Sequence, residues 1–275
     1  MRSGRMQRMS DICTSFQGEV NETTERQKGT ISDKQSEGPL ILRGANVCLY
    51  LLRAASQGEP LFLRVSDYSA NKAPGSKAFH ARERRVGFQR SSPQNNFRRL
   101  VACMLERDSH CFDTISYIPE SESRLPLEVV LGLLNTNLLD WYFRLGSTNS
   151  KVNEYQFNNL PCPMFADHET EEHNHAGEVA IRAIRAGDLE EAFQILRPSL
   201  ACAPFSLAVR DTIAELVQQA IHAEQCRGEI ARSERSALCV EAQPYQDLID
   251  RLLYAMAGLS EEEARGLEER LARML

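Results

Sequence analysis

Residues 125–165, LPLEVVLGLLNTNLLDWYFRLGSTNSKVNEYQFNNLPCPMF, are the stretch that decides how the chain folds. Apolar side chains recur at gaps of three and four over residues 127–142, which places one wide apolar stripe along a helix. Pro126 suits the first turn of this helix, and Gly146 suits its end. The sequence therefore predicts one long amphipathic helix, followed by an extended polar segment and an apolar run between two prolines.

The residues before this helix predict a strand-rich module. Short runs of β-branched, aromatic and other apolar residues alternate there with Gly, Pro, Ser and Asn, a pattern typical of strands joined by loops. We expect strands within residues 12–20, 39–50 (as strand, turn and strand), 60–65, 83–92, 97–105 and 110–119.

The residues after the helix predict a helical module. Ala, Leu, Glu and Arg, all strong helix formers, dominate from residue 177 onward. Ser260 with Glu263 forms a capping box, which is typical of a helix start. We expect helices over residues 177–196, 204–232, 244–257 and 260–274.

The predicted fold class is therefore α+β. A strand-rich module with one long amphipathic helix occupies residues 1–165, and a charged linker follows over residues 166–176. An acidic, all-helical C-terminal module completes the chain over residues 177–275.

The net charge of −6 conceals opposite charges in different parts of the chain. Residues 42–165 carry 15 basic and 11 acidic side chains, whereas residues 166–275 carry 11 basic and 21 acidic ones. Within the first range, residues 64–107 hold 10 basic against 3 acidic side chains. A polyanion such as nucleic acid could therefore bind the middle of the chain despite its acidic average. A solvated basic surface is the alternative interpretation.

Several protein classes lack their signals in this sequence. The chain has no run of about 18 apolar residues, so we expect no membrane-spanning helix. The basic first ten residues have no apolar core behind them, so we expect no secretory signal peptide. The eight cysteines are scattered and form no C-x-x-C pair, which indicates reduced thiols in a cytoplasmic protein. Dinucleotide-binding, P-loop, nucleophile-elbow and H-E-x-x-H motifs are absent. The His and Glu residues of 168–175 match no standard zinc spacing, so we expect no metal site.

Two polar clusters carry side chains that can bind DNA. Arginine can grip phosphates or pair bidentately with guanine, and Asn and Gln can pair in the same way with adenine. The candidates in the first cluster are Arg84, Arg85, Gln89, Arg90, Asn95, Arg98 and Arg99. The candidates in the second cluster, which follows the predicted helix, are Asn149, Lys151 and Asn153.

Each cluster has a structural alternative. The first could be a basic surface loop, with Arg98 and Arg99 paired to acidic neighbours. The second could be an Asn-rich loop whose amides satisfy its own turns.

Residues 131–165 closely resemble the signature of the TaqI-like C-terminal specificity domain, the DNA target-recognition region of adenine-specific DNA methyltransferases and of fused restriction–modification enzymes. That family shows L-G-L-L-N-S-x-L-x-x-W-Y, then N-x-x-V-x-x-Y, then L-P-I-P. These patterns correspond here to residues 131–142, 149–155 and 160–163, with Cys162 where an aliphatic residue is usual.

Upstream residues extend the resemblance. Gln17 and Asn21 fall in a segment similar to the family's Q-G-E-x-N, and Arg43 falls in one similar to L-R-G. Residues 95–99 look like its N-x-x-R-R segment. The resemblance covers residues 10–165 well and the last thirty residues loosely.

The resemblance implies sequence-specific recognition of double-stranded DNA by this chain. The family's cofactor-binding glycine motif and its N/D-P-P-Y/F motif are both absent here. We therefore expect no catalysis by this chain alone, and a methyltransferase or restriction domain or subunit as its partner. S-adenosylmethionine would be the cofactor of that partner.

Two alternatives stay open at this point. In one, the chain itself acts as an adenine-specific DNA methyltransferase or as part of a restriction endonuclease. In the other, it is an interaction protein or a remnant without DNA activity, and its acidic helices form its main functional surface.

Overall fold

The structure, a computed structural model, describes residues 4–53, 58–70, 72–93, 96–146, 150–168, 171–201, 203–228 and 237–273. The fold is α+β, as the sequence predicted. Its strands are β1 (Met6–Arg8), β2 (Phe16–Gln17), β3 (Ile31–Ser32), β4 (Ile41–Leu42), β5 (Phe62–Leu63), β6 (Arg85–Gln89), β7 (Ala102–Leu105), β8 (His110–Cys111), β9 (Ile115–Pro119) and β10 (Pro161–Pro163).

The helices are few before the middle of the chain and dominate after it. They are α1 (Glu22–Gln27), α2 (Val65–Ser69), α3 (Leu127–Leu134), α4 (Asn137–Gly146), α5 (Glu154–Asn158), α6 (Glu171–Ala186), α7 (Leu189–Leu196), α8 (Leu207–Cys226), α9 (Gln243–Ala257) and α10 (Glu261–Arg273).

The largest sheet is antiparallel and has the strand order β2-β9-β6-β7. Three two-stranded pairs surround it: β1 with β10 and β3 with β5 are antiparallel, and β4 with β8 is parallel. Strand β6 lies in the centre of the large sheet, and four of its five residues are buried. Both inner strands, β9 and β6, are therefore paired on each side and largely buried.

The predicted strand, turn and strand over residues 39–50 is only half right. Strand β4 forms, but Gly44–Asn46 is a 3-10 turn, and the residues after it make only isolated bridges. The side chain of Asn46 accepts a hydrogen bond from Arg43 N at 2.8 Å and donates one to the Arg53 carbonyl at 3.0 Å. The Asn46 side chain thus holds this loop together, where the sequence predicted two paired strands.

The single long helix predicted over residues 127–142 is wrong, because the chain forms two helices there. Helix α3 ends at Leu134 and α4 begins at Asn137. The Asn135 side chain accepts from the Ala102 amide at 2.9 Å and donates to the Ala102 carbonyl at 3.0 Å. Asn135 thereby pairs with strand β7 at the break. The apolar spacing continues in phase across the break, so periodicity alone could not reveal it.

The helices after residue 170 also differ in detail from the prediction. The predicted helix 177–196 is two helices, α6 and α7, separated at Gly187, whose φ of +85° favours glycine. Helix α6 begins at Glu171, inside the segment predicted as a linker. The helix predicted over 204–232 is α8, and residues 229–232 lie outside the described part of the chain.

The last two helices follow the prediction closely. Helix α9 matches residues 244–257 to within one residue at each end, and α10 begins one residue after the predicted start at 260. Residue 274, the predicted end of α10, lies outside the described part of the chain. The predicted capping box is confirmed: Ser260 N donates to Glu263 Oε2 at 2.7 Å, and Glu263 N donates to Ser260 Oγ at 3.2 Å.

One hydrophobic core joins the strand-rich and the helical parts of the chain. It includes buried side chains from Met9 near the start to Leu267 in α10. Helix α3 lies at its centre and packs against α8 so closely that a Cβ on Gly132 would lie 2.7 Å from Val217 Cγ2. A smaller core beneath β4 and β5 includes Val20, Leu63 and Phe112.

A buried polar junction also connects the two parts. Asp250 of α9 accepts from the Asn137 amide at 2.6 Å and from Gln246 Nε2 at 3.1 Å. Gln246 in turn accepts from the hydroxyl of Tyr50, a residue of the strand-rich part. Burial raises the pKa of Asp250 to about 7, although Arg98 and the Asn137 amide favour its charged form.

The sequence predicted no membrane-spanning helix and reduced cysteines, and the described residues bear on both expectations. No helix among them is both long and apolar enough to cross a bilayer. The described cysteines are free thiols, six of them buried and Cys226 exposed.

We expect Gly132→Ala to destabilise the fold by about 1–3 kcal/mol, because its methyl group would press on Val217 and Ile213. Gly266→Ala is the matched control: Gly266 lies in α10 with open space around it, so alanine should stabilise the fold by up to about 1 kcal/mol. Urea unfolding measures both changes. Equal effects of the two substitutions would contradict the close packing of α3 on α8.

We expect the contribution of Asp250 to the free energy of unfolding to fall as pH rises from about 4 to about 7. The folded state keeps the Asp250 proton up to about pH 7, whereas the unfolded state releases it near pH 4, so unfolding becomes easier over that window. The difference amounts to at most about 4 kcal/mol. Asp250→Asn cannot ionise and should flatten the profile measured by urea unfolding at several pH values. Parallel wild-type and variant profiles would contradict the shift.

Candidate nucleic-acid interface

Part of the predicted DNA-contacting set meets around the turn between β8 and β9. Arg90, directly after β6, donates from Nη1 to the Asp113 carbonyl at 3.3 Å, and its amide donates to the Thr114 carbonyl at 3.0 Å. The Arg43 guanidinium lies 4.9 Å from the centre of the Phe112 ring. Asn21 and Asp113 line one shallow cleft. Residues from three distant segments therefore share one face.

A second, narrower cleft lies beside this turn and encloses about 120 Å³. Its lining residues are Ser15, Phe16, Gln17, Phe88, Arg90, Ser116, Val152, Asn153, Glu154 and Phe157. Three of them, Gln17, Arg90 and Asn153, are predicted contact residues. We call this cleft, together with the neighbouring Lys151, the recognition face.

The floor of the recognition face is formed by two stacked rings and by backbone hydrogen bonds. The rings of Phe88 and Phe157 stack with centres 5.0 Å apart and planes 5° apart. The Val152 amide donates to the Arg90 carbonyl at 2.8 Å, and the Ser92 amide donates to the Ser150 carbonyl at 2.7 Å. The segment after α4 is thereby fixed against the end of β6, with Lys151 and Asn153 both exposed.

Three other predicted residues on this side of the molecule already have partners within the chain. Asn21 caps α1 by accepting from the Thr24 amide at 2.9 Å. Arg43 donates to the Glu59 carbonyl at 3.0 Å and to Glu22 Oε2 at 3.4 Å. Gln89 Nε2 donates to the Val47 carbonyl at 2.9 Å. A contact from these side chains to DNA would compete with those bonds.

Arg85 lies in the core. Its side chain is 0% exposed, and Nη1 lies 3.3 Å from Glu19 Oε2. Its other terminal nitrogen donates to the Ser109 carbonyl, and its guanidinium lies 4.6 Å from the centre of the Tyr117 ring. A buried guanidinium needs such internal partners, and Arg85 offers no surface to a duplex.

Arg98 and Arg99 are also buried. Arg98 donates to the Asn135 carbonyl and, at 3.2 Å, to Asn137 Oδ1. The Arg99 guanidinium lies 5.1 Å from the centre of the Phe143 ring, and burial and the nearby Arg144 lower its pKa. Both arginines thus lie between the sheet and the α3–α4 pair and bond or pack there. The DNA-contacting role predicted for them does not fit this buried position.

Arg84 is half-buried and paired. Its Nη2 lies 2.5 Å from Glu128 Oε1 at the start of α3, and that carboxylate raises the pKa of Arg84. It lies at the opposite end of β6 from Arg90 and outside the recognition face. The two remaining predicted residues, Asn95 and Asn149, lie outside the described part of the chain.

Sequence reasoning missed several polar residues of the recognition face. Ser15, Ser116 and Glu154 line the cleft with Gln17 and Asn153. Lys77 Nζ donates to the Gln17 and Gly18 carbonyls at 3.1 and 3.2 Å, which fixes the strand that carries Gln17. Glu154 could have been predicted as a member of this face because it directly follows Asn153. Ser15, Ser116 and Lys77 belong to no sequence motif that would have predicted their position.

The recognition face presents amide, guanidinium, ammonium and carboxylate groups within one small area. Arg90 and Lys151 can neutralise phosphates, and Gln17 and Asn153 carry the amides that pair with base edges. Glu154 supplies an acceptor of the kind that binds the amino group of cytosine. Among the described residues, no three His, Cys, Asp or Glu side chains come together as metal ligands.

No family model matches the chain, and no curated protein matches it. Among solved structures, the chain is similar to the Type IIL restriction-modification enzyme MmeI in complex with DNA, with a TM-score of 0.43 and 10% sequence identity. The match covers 98% of this chain and 35% of that chain, so the present chain spans about a third of its length. A similarity at this level decides neither the fold nor the function.

We expect Arg85→Ala to destabilise the fold by about 3–5 kcal/mol, because it would leave the Glu19 carboxylate buried beside an empty space. Arg26→Ala is the matched control, since Arg26 pairs with Glu22 at the surface and its removal should cost at most about 1 kcal/mol. Urea unfolding compares the two variants. A loss below 1 kcal/mol for Arg85→Ala would contradict its structural role.

Proposed function

We propose that this chain recognises a specific sequence in double-stranded DNA, as the specificity part of an adenine-N6 methyltransferase or restriction–modification system. The observation that carries the proposal is the convergence of Gln17, Arg90 and Asn153 on one cleft, with Lys151 exposed beside it. These residues come from three segments that the fold brings together. Lys151 and Asn153 also lie in the segment that resembles the family's N-x-x-V-x-x-Y signature.

Recognition would divide between two kinds of contact. Arg90 and Lys151 bind phosphates and set the register of the protein on the duplex. Gln17, Asn153 and Glu154 contact base edges, each good contact contributing about 1–3 kcal/mol of discrimination. The stacked pair of Phe88 and Phe157 holds α5 against β6, so the backbone that carries Asn153 and Glu154 needs little ordering on binding.

Catalysis belongs, in this proposal, to a partner domain or subunit. That partner would bind S-adenosylmethionine, extrude the target adenine and receive the duplex positioned by the recognition face. The acidic helices α6–α10 would lie away from the DNA, because 21 acidic against 11 basic side chains over residues 166–275 repel phosphate.

Selection from a randomised duplex pool tests the proposal. The full chain is incubated with the pool at about 0.1 M salt, where weak exposed contacts are partly screened, and the bound fraction is sequenced. An enriched sequence supports the proposal. Retention of DNA without an enriched sequence contradicts specific recognition, and methyl transfer from labelled S-adenosylmethionine by the chain alone contradicts the separate catalytic partner.

We expect Lys151→Ala to weaken binding to all duplexes alike and to lower the salt dependence by about one phosphate contact. Arg182→Ala, which removes an exposed cation from α6, is the matched control and should change neither quantity. Titration of labelled duplexes at several salt concentrations measures both. An unchanged salt dependence in Lys151→Ala would remove this residue from the phosphate contacts.

We expect Asn153→Ser to relax the preference at one base pair by about 1–3 kcal/mol while leaving other positions unchanged. Serine keeps an oxygen able to cap α5 but loses the amide that pairs with a base edge. Competition between the selected duplex and its single-base variants measures the change. A uniform loss of affinity at all positions would contradict a base-reading role.

A further inference from the structure

The five lysines of the chain differ in their partners. Three of them have a carboxylate oxygen within 4.0 Å of the ammonium: Lys28, Lys34 and Lys72. The other two, Lys77 and Lys151, have no such carboxylate among the residues that the structure describes. Lys151 is already a proposed phosphate contact, so Lys77 is the remaining lysine without an acidic partner in that part of the chain.

The ammonium of Lys77 is fixed beside the recognition face. Its Nζ donates to the carbonyls of Gln17 and Gly18 at 3.1 and 3.2 Å, and Gln17 lines the cleft. The Lys77 carbonyl accepts from the Tyr117 hydroxyl at 3.4 Å, which ties the backbone of this lysine to β9. The fold therefore sets the position of this positive charge before any ligand binds.

One donor of this ammonium is left for a ligand. A lysine ammonium has three N–H bonds, and the carbonyls of Gln17 and Gly18 accept from two of them. Both acceptors lie in one short backbone segment, so the third N–H of the tetrahedral group points away from that segment. Lys77 is exposed, and this donor is therefore open to water or to an anion.

The charges around Lys77 do not neutralise it. Burial lowers the pKa of Lys77, and the carboxylates of Glu19 and Asp113 oppose that shift. Glu19 is buried and paired with Arg85 at 3.3 Å, and Asp113 lies more than 4.0 Å from the ammonium. The charged residues of the recognition face are Arg90, Lys151 and Glu154. Lys77 thus adds a cation beside a face that is already positive.

We infer that Lys77 binds a backbone phosphate of the duplex, next to the base pair that Gln17 contacts. The inference rests on the proposed function. A compact ammonium suits a phosphate oxygen as a point charge, and its position on the Gln17 backbone places it close to the bases that Gln17 reads. A phosphate contact carries no sequence information, so Lys77 fixes the register of the duplex and Gln17 discriminates between bases.

Salt dependence tests the contact. The full chain is titrated at several salt concentrations with the duplex that the selection enriches. Lys77→Met keeps the length of the side chain without its charge, and should lower the slope of log affinity against log salt by about 0.9, the value for one phosphate. Lys77→Arg keeps the charge and should keep the slope. The matched control Lys34→Met removes a lysine paired with Glu37 and should also keep it.

A scan with neutral linkages locates the contact. A methylphosphonate replaces one phosphate at a time in the enriched duplex, which removes one charge and changes no base. The wild type should lose affinity at a phosphate beside the base pair whose preference Gln17→Ala relaxes. Lys77→Met should bind that modified duplex and the unmodified one equally well, while the other phosphates keep their effect.

Thermal unfolding checks that the variants stay folded. Lys77 lies at the surface, so Lys77→Met should remain folded at the temperature of the titration. If methionine destabilises this segment, Lys77→Gln takes its place as the neutral variant, because its amide can still donate to a carbonyl.

The outcomes separate this inference from the proposed function. A neutral variant with the wild-type slope and every phosphate effect overturns the contact and leaves DNA recognition standing. The same slope with a relaxed preference at the Gln17 base pair also overturns it, because Lys77 would then only hold the segment that carries Gln17. Wild-type protein that binds no duplex, or binds without an enriched sequence, overturns both.

Discussion

The edge of the main sheet imposes the constraint on which the rest of the structure depends. Strand β7 is the last strand of the sheet, and its free side carries backbone groups that need partners. Side chains of the α3–α4 pair supply part of them: Asn135 bonds both polar groups of Ala102, and Asp140 Oδ1 accepts from the Arg99 and Leu100 amides at 2.7 and 2.8 Å, just before β7. The backbone of Tyr50 supplies the rest, since its amide donates to the Ala102 carbonyl at 2.8 Å and its carbonyl accepts from the Met104 amide at 3.1 Å.

This arrangement explains the residues of the L-G-L-L-N pattern in physical terms. Gly132 allows α3 to approach α8, and Asn135 ends α3 where it can reach β7. Both residues are structural, and neither lies on the recognition face. A sequence pattern typical of a DNA-recognition family therefore describes, in this chain, how the scaffold is joined.

Much of the architecture could be predicted from local pattern. The α+β class, the positions of the main strands and the last two helices with their capping box all followed from periodicity and turn residues. The break at Asn135 could not be predicted, since a side chain that bonds to a distant strand leaves no local signal. The same holds for the 3-10 turn that Asn46 closes.

The candidate site was harder to predict than the fold. The sequence does not tell whether an arginine neutralises a phosphate or a buried carboxylate. Arg85 and Arg90 differ in burial, which only the structure shows. Gln17 and Asn153 line the same cleft only because tertiary contacts join segments more than a hundred residues apart. Composition could therefore predict which types of side chain the recognition face carries, but not which residues form it.

The shared core has a consequence for how such a protein can change. Because α3 packs on α8 and Tyr50 bonds to Gln246, the strand-rich and helical parts cannot be exchanged separately without exposing an apolar surface. The polar residues Gln17, Lys151 and Glu154 of the recognition face, in contrast, lie outside the stacked pair of Phe88 and Phe157. They can be replaced one side chain at a time, while the scaffold is inherited as a single block.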